Sequence, residues 1–237
     1  MRRLLLPAVA LCAAALALPT SASAEIIEIG KVDPAVPSSC PGDNCLALAV
    51  TTGYQAKVGT TRAPMVVPKD GRIVALTVGL GKPSQKQIDF FMKSPYRFGS
   101  ASVQLTILDP RTKLRYRAIR QSEAFKVEPF FGRIVQFPLA RTLAVKKGQV
   151  VAITSRTWAP ILATADLGND TSWRASRTKG SCDNAAAPTA QVQPNQLTQY
   201  YCLYGKERLN YSATLITTPT VKKTTKKSAK KKSAKRR

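Results

Sequence analysis

The sequence predicts an all-β protein, an antiparallel β-sandwich of jelly-roll type with one long excursion containing a short helix. Three observations carry that prediction: repeated runs in which apolar and polar residues alternate, short turns between those runs, and little helical periodicity.

The runs follow in order. "CLALAV" opens the series, and "RIVALTVGL" continues it with Val74, Leu76, Val78 and Leu80 on one face. "SVQLTILDP" sets Val103, Leu105 and Ile107 against Ser102, Gln104 and Thr106, the period of a half-buried strand. A hairpin turn over Asp109 to Thr112 leads into "KLRYRAI", where Leu114, Tyr116 and Ala118 alternate with Lys113, Arg115 and Arg117, so one face of that strand is basic. "RIVQFPL", "RTLAVKKGQVVAITS" and "ERLNYSATLIT" complete the set, with Gly148 supplying a tight turn. Residues 81 to 101 read as an excursion over one end of the sandwich. Within it Ser84 caps a short helix with Gln87 three residues later, Ile88, Phe91 and Met92 share a face, and Pro95 ends it. Four rings, Phe90, Phe91, Tyr96 and Phe98, concentrate there, and aromatic rings chiefly contribute buried area.

The first 24 residues, "MRRLLLPAVALCAAALALPTSASA", pair Arg2 and Arg3 with an apolar run and a small-residue site at Ala22, Ser23 and Ala24. That is the pattern of a secretory signal peptide, with cleavage after Ala24. The apolar run is shorter than the roughly twenty residues that span a bilayer, and no later segment reaches that length, so no transmembrane segment is expected after cleavage. Residues 25 to 217 are expected to form a single domain, followed by a Lys/Arg-rich tail over 218–237.

Charge is the second strong signal. Of 37 basic residues, two lie in the leader, ten in the final sixteen residues and 25 between, against 13 acids, so the body alone carries a net +12. Such a field favours anionic partners. The tail places Lys222, Lys223, Lys226, Lys227, Lys230, Lys231, Lys232, Lys235, Arg236 and Arg237 with no apolar residue larger than alanine among them. A segment of that composition cannot offset ordering entropy and is expected to be disordered.

Four cysteines remain after cleavage: Cys40, Cys45, Cys182 and Cys202. An even number in an exported chain points to two disulfides, for which three pairings are formally possible. The turn formers of "CPGDNC" favour the local one, Cys40 with Cys45 and Cys182 with Cys202. A four-cysteine metal site is disfavoured, since the spacing lacks two CxxC knuckles.

The order "VPKDGRIVALTVGLG", "ASVQLTIL", "QFPLARTLAVKKGQVVAIT" resembles secreted proteins of actinobacterial type with a galactose-binding-like β-sandwich, over about residues 65–155. The resemblance implies the sandwich fold. Gln149 stands where such proteins often carry an aspartate after the lysine and glycine, so neither a calcium nor a sugar site carries over with it.

Chemistry is constrained by what is missing. The chain has no histidine, which removes the usual Ser/His/Asp and Cys/His nucleophile arrangements and histidine metal sites. No Gly-rich phosphate loop or dinucleotide fingerprint occurs, and no cofactor is expected. A carboxylate pair drawn from Asp89, Glu123, Glu128, Asp166 and Asp170 leaves a carbohydrate-active hydrolase as an alternative. Asp166 and Asp170 in "ADLGNDTSW" lack the ligand density of a calcium loop and read as a surface turn. For ligand contact the residues singled out are Trp173, with Arg174 and Arg177 beside it in a polar, basic segment, and Tyr96 in the excursion. Trp158, between a strand and Pro160, reads as core. The composition therefore points to an exported, non-catalytic β-sandwich at the cell envelope, tethered by its tail to anionic wall polymer, membrane surface or acidic polysaccharide. Extracellular nucleic-acid binding is a further alternative, through phosphate contact.

Overall fold

The predicted runs supply seven of the eight strands that frame two facing antiparallel sheets, and the eighth, Ile26–Gly30, was not among them. The computed structural model describes residues 23–40, 45–93, 96–164, 167–182 and 195–219. The expected leader, apart from Ser23 and Ala24, lies outside them, as do Pro95, Asp166 and the cationic tail residues from Lys222 to Arg237.

The frame strands are β1 (Ile26–Gly30), β2 (Leu48–Val58), β4 (Gly71–Gly79), β5 (Ser102–Pro110), β6 (Arg115–Gln121), β8 (Ile134–Val145), β9 (Val150–Ala159) and β15 (Tyr211–Thr217). Short strands β3 (Thr61–Arg62) and β7 (Phe125–Lys126) pair with β2 and β5. One sheet runs β1-β15-β4-β8, and the other contains β6-β5-β9-β2. Taking the eight frame strands in chain order, the pairings are first-eighth-third-sixth and second-seventh-fourth-fifth, two interlocked Greek keys that make a jelly roll. Leu76 and Val78 of β4 and Leu215 of β15 pack with Leu105 and Ile107 of β5 and Val151 and Ile153 of β9 in one core. The Tyr211 hydroxyl donates to the Val151 carbonyl at 2.9 Å, a direct polar tie between the sheets.

Between the seventh and eighth frame strands the chain inserts β10 (Leu162–Ala163), β11 (Ser172–Ala175), β12 (Leu197–Gln199), β13 (Cys202–Gly205) and β14 (Arg208–Leu209). β10 pairs with β14, while the larger sheet is extended to β12-β6-β5-β9-β2-β11-β13. β12 and β13 lie at opposite edges of that path, yet only Tyr200 and Tyr201 separate them in sequence. The sheet must therefore curl until its two edges meet.

That curl corrects one expectation. β5 is not half-buried: Gln104 and Thr106, on the face predicted to meet solvent, are 2% and 0% exposed. They face a second, more polar interior, where Thr154 Oγ1 meets both Thr52 Oγ1 and Thr106 Oγ1 at 2.7 Å. The rings of Tyr54, Tyr116 and Tyr200 fill its other part with centroids 5.1 to 5.6 Å apart.

Local irregularities shift two further predictions. In β4 a register break between Ile73 and Ala75 puts Ile73, rather than Val74, in the core, while Leu76 and Val78 stay buried. Leu114 is not part of the alternating strand. It sits at φ +56° beside Lys113 at +57°, both at the tip of the β5–β6 hairpin, and is 37% exposed.

Helix α1 (Gln85–Met92) forms as its capping residues require. Gln87 N donates to Ser84 Oγ at 3.3 Å and Ser84 N to Gln87 Oε1 at 2.8 Å, a reciprocal capping box. Gln87 Nε2 also donates to the Cys40 carbonyl at 3.0 Å, fixing the helix to the segment before β2. Both local disulfides, Cys40–Cys45 and Cys182–Cys202, are present.

Candidate functional site

The sandwich has two chemically different ends, and β9 measures the distance between them. Ala159, at one end of the strand, is paired with Leu48, which lines a cleft of about 370 Å³. At the other end Val150 follows Gln149, which lines an open hollow. Nine residue steps of extended chain separate Val150 from Ala159, about 30 Å.

The cleft is assembled from three sources. The start of β2 with Cys45 and Leu46 forms one side, the excursion contributes Phe90, Phe91, Tyr96 and Phe98, and the insertion contributes Trp173, Arg177, Cys182, Tyr204 and Glu207. Phe91 is 5% exposed and stacks on buried Trp158 at 4.5 Å, which anchors the excursion to the core. Phe90, Tyr96 and Phe98 are only partly buried. The excursion's rings thus divide: Phe91 seals the core, and the others edge the cleft.

Three of the four residues singled out for ligand contact, Tyr96, Trp173 and Arg177, line this one cleft. The fourth is turned away, since successive side chains of a strand point to opposite faces. Trp173 and Ala175 of β11 face one side, and Arg174 faces the second interior, where its guanidinium donates to the carbonyls of Tyr200 and Tyr201 at 3.2 and 2.9 Å. Arg174 is a structural clamp.

Trp173 is 6% exposed, which alters its expected role as an exposed ring. It stacks on Tyr204 at 4.6 Å, and its ring lies so close to Gly53 that a Cβ there would meet it at 2.9 Å. Its Nε1 donates to Glu207 Oε2 at 2.9 Å. Trp173 therefore positions Tyr204 and Glu207. Arg177, 8% exposed, donates to the Cys182 carbonyl at 3.2 Å and to Thr51 Oγ1 at 3.3 Å, and Tyr204 OH donates to the same carbonyl at 2.6 Å.

Sequence reasoning did not single out Tyr204 and Glu207. The usable signal was their place in "YCLYGKERL", immediately after a disulfide cysteine that fixes the strand opposite Trp173.

Among the described residues, the carboxylates considered for catalysis do not converge, and Asp166 lies outside them. Asp89 accepts from Lys93 at 2.8 Å, Glu123 accepts from the Ala140 amide at 2.6 Å, Glu128 from the Ala101 amide at 2.9 Å, and Asp170 lies exposed in a turn. Asp89 is held below the usual carboxylate range, chiefly by the Lys93 hydrogen bond. Asp33 is likewise lowered, chiefly by the Ala35 amide. Among the described residues no three His, Cys, Asp or Glu side chains are grouped to hold a metal ion, and no helix is long and apolar enough to cross a membrane.

At the opposite end, β15 finishes at Thr217, and Thr218 N donates to the Asp70 carbonyl at 2.8 Å. Thr218 lines the hollow beside Arg72, Arg120 and Lys146. This is the end from which the chain continues toward Lys222. Comparisons with protein-family models, curated proteins and solved structures found no match to this chain.

Proposed function

We propose that this chain is an exported, non-catalytic binding protein of the cell envelope, which recognises a ligand in the aromatic cleft while its cationic tail holds it to an anionic polymer or surface. The observation that carries the reading is the separation of the two ends. The chain leaves β15 on the side of the basic hollow, about 30 Å along β9 from the cleft, so tethering there leaves the cleft unobstructed.

The cleft suits binding more than reaction. Its bordering cysteines are in disulfides, and Thr51 Oγ1 already accepts from Arg177. What it offers is ring surface, one guanidinium and one carboxylate, a set that orients a ligand with apolar faces and a polar rim. The hydrolase alternative receives no support from the scattered carboxylates.

Co-sedimentation of the mature protein, with and without residues 222–237, against purified cell walls, anionic liposomes and DNA over a salt series tests the tether. Tail-dependent, salt-reversible binding to walls or liposomes is expected. Equal binding by both proteins at every salt concentration would refute tethering, and preference for DNA would favour the nucleic-acid alternative. The cleft is tested separately by screening wall-derived glycans and amphiphiles against Tyr96→Ala. Turnover of any of them, abolished by replacement of a carboxylate, would overturn the non-catalytic reading.

A further inference from the structure

We propose that the hollow at the tether end is itself a binding surface for a flexible phosphodiester strand. The inference rests on the tether reading for its class of partner, and it assigns part of the grip to the folded body.

The hollow has a volume of about 720 Å³ and lies where the two sheets part. The smaller sheet supplies Arg72 from β4 and Lys146 from the turn after β8, and the larger sheet supplies Arg120 from β6. All three are exposed, whereas Gly71, Val145 and Gln149 beneath them are buried. Cations therefore stand on the rim of a recess.

Two carboxylates also line it, and both are already engaged. Asp109 pairs with Arg111 at 2.6 Å, and Asp70 accepts from the Lys147 amide at 2.8 Å. Neither Arg120 nor Lys146 forms an ion pair with any described acid. Lys147 adds a further exposed ammonium next to Lys146. The balance at the rim is positive.

Gln149 matters to that balance. Its Oε1 accepts from Lys146 N at 2.9 Å and so holds the turn that presents both lysines, without adding a negative charge. A carboxylate there would make the same hydrogen bond and partly cancel the field.

Shape selects the occupant. A bilayer or a duplex is too broad to follow the recess and would touch only its rim, but a single flexible strand can lie in it. The Arg120 guanidinium and, on the opposite wall, the Lys146 ammonium then meet successive phosphates, with Arg72 adding its charge and its remaining donors, since its Nε and Nη2 already donate to Thr142.

The test uses a long single-stranded oligothymidylate as the phosphodiester probe, with full-length mature protein and protein lacking residues 222–237, each over a salt series. The tail-less protein is expected to retain salt-sensitive binding. Combining Arg120→Gln with Lys146→Gln should weaken that binding about tenfold or more and lower the salt slope by about 1.4, the loss of two single-strand contacts. Gln149→Glu should weaken it in the same direction, and comparing binding at temperatures well below the variant's own unfolding midpoint separates the effect of charge from any loss of folding. Unchanged affinity and slope in both variants would overturn the proposal, as would a tail-less protein that binds duplex DNA or anionic vesicles as tightly as the oligothymidylate. Loss of all binding on tail removal would also overturn it while leaving the tether intact. Failure of the full-length protein to bind any polyanion would instead bring down the tether reading itself.

Discussion

The hydroxyls of Tyr54 on β2 and Tyr116 on β6 meet at 2.8 Å, although β9 and β5 lie between their strands in the sheet. In a flat sheet three ladder steps would hold those strands about 14 Å apart, with parallel side chains. The contact shows how tightly the sheet curls, and it makes the second interior sensitive to single atoms. Tyr54→Phe is expected to cost about 1 kcal/mol, since it removes one partner of a mostly buried hydrogen bond. A double-mutant cycle with Tyr116→Phe should show coupling between the two positions. Strict additivity would mean that the hydroxyls do not stabilise one another.

Alkaline titration offers an independent check. Burial is the main cause that pushes the phenols of Tyr54, Tyr200 and Tyr211 well above their ordinary value, and the Tyr116 hydroxyl adds to it at Tyr54. A folded value above the unfolded one means that the stabilisation is complete below about pH 10, where unfolded tyrosine is neutral, and declines as pH rises further. Of the seven tyrosines, these three should remain protonated in the native protein when they have ionised in denaturant. Phenolate absorbance in the native state should therefore fall short of the denatured amplitude by at least these groups until the protein unfolds, and a native step of full amplitude would contradict the buried assignment.

The Cys182–Cys202 bridge spans 20 residues of sequence and fixes the start of β13, immediately after the tyrosines that join the sheet edges. Replacing both cysteines by serine is expected to lower stability by about 3 kcal/mol on loop entropy. It should also increase hydrogen exchange at Tyr200 and Tyr201, whose amides donate to the Leu114 and Arg177 carbonyls. Exchange unchanged at those amides would show that the strand ladders alone close the sheet.

Seven of the eight frame strands, the capping box and both disulfides were legible because each is written locally, in a period, a spacing or a pair of turn residues, whereas β1 carries too short a run to show one. Gln104 and Thr106 were misplaced for the opposite reason. Their burial depends on Tyr200, almost a hundred residues away, drawing one edge of the sheet to the other. The cleft was half legible by the same logic. Tyr96, Trp173 and Arg177 belong to residue types that announce binding, whereas the alternation that turns Arg174 away and the pairing that brings Tyr204 opposite Trp173 are fixed only when β11 and β13 join the sheet. The basic hollow was not legible in this way: Lys113, Arg115 and Arg117, the basic face read in "KLRYRAI", do not line it, and Arg72, Arg120 and Lys146 come together only when the two sheets pack.

Lys113 and Leu114 occupy the left-handed region at the tip of the β5–β6 hairpin, where side chains carrying a Cβ are strained. Two-residue hairpin turns with both central residues in that region favour Asn and Gly. Leu114→Gly should therefore stabilise the protein by a net amount of about 0.5–1 kcal/mol, because the strain relieved exceeds the chain entropy that glycine adds to the unfolded state. Thermal unfolding of the variant provides the measurement. A loss of stability would show that the exposed Leu114 side chain makes a packing contribution larger than the backbone strain.

The cap of α1 is coupled to the cleft because the same helix carries Phe90 and Phe91. Ser84→Ala removes the acceptor for Gln87 N and is expected to cost about 1 kcal/mol. Gln87→Ala should cost more. Gln87 is 4% exposed, accepts from Ser84 N through Oε1, and donates to the Cys40 carbonyl, so its loss leaves backbone groups without partners. Both substitutions should act locally at first, raising amide exchange in α1 while β9, under Phe91, keeps its protection. If Gln87→Ala instead lowered protection equally in α1 and β9, the excursion would be part of the cooperative core. The cleft's aromatic wall would then be unable to adjust independently of the sandwich.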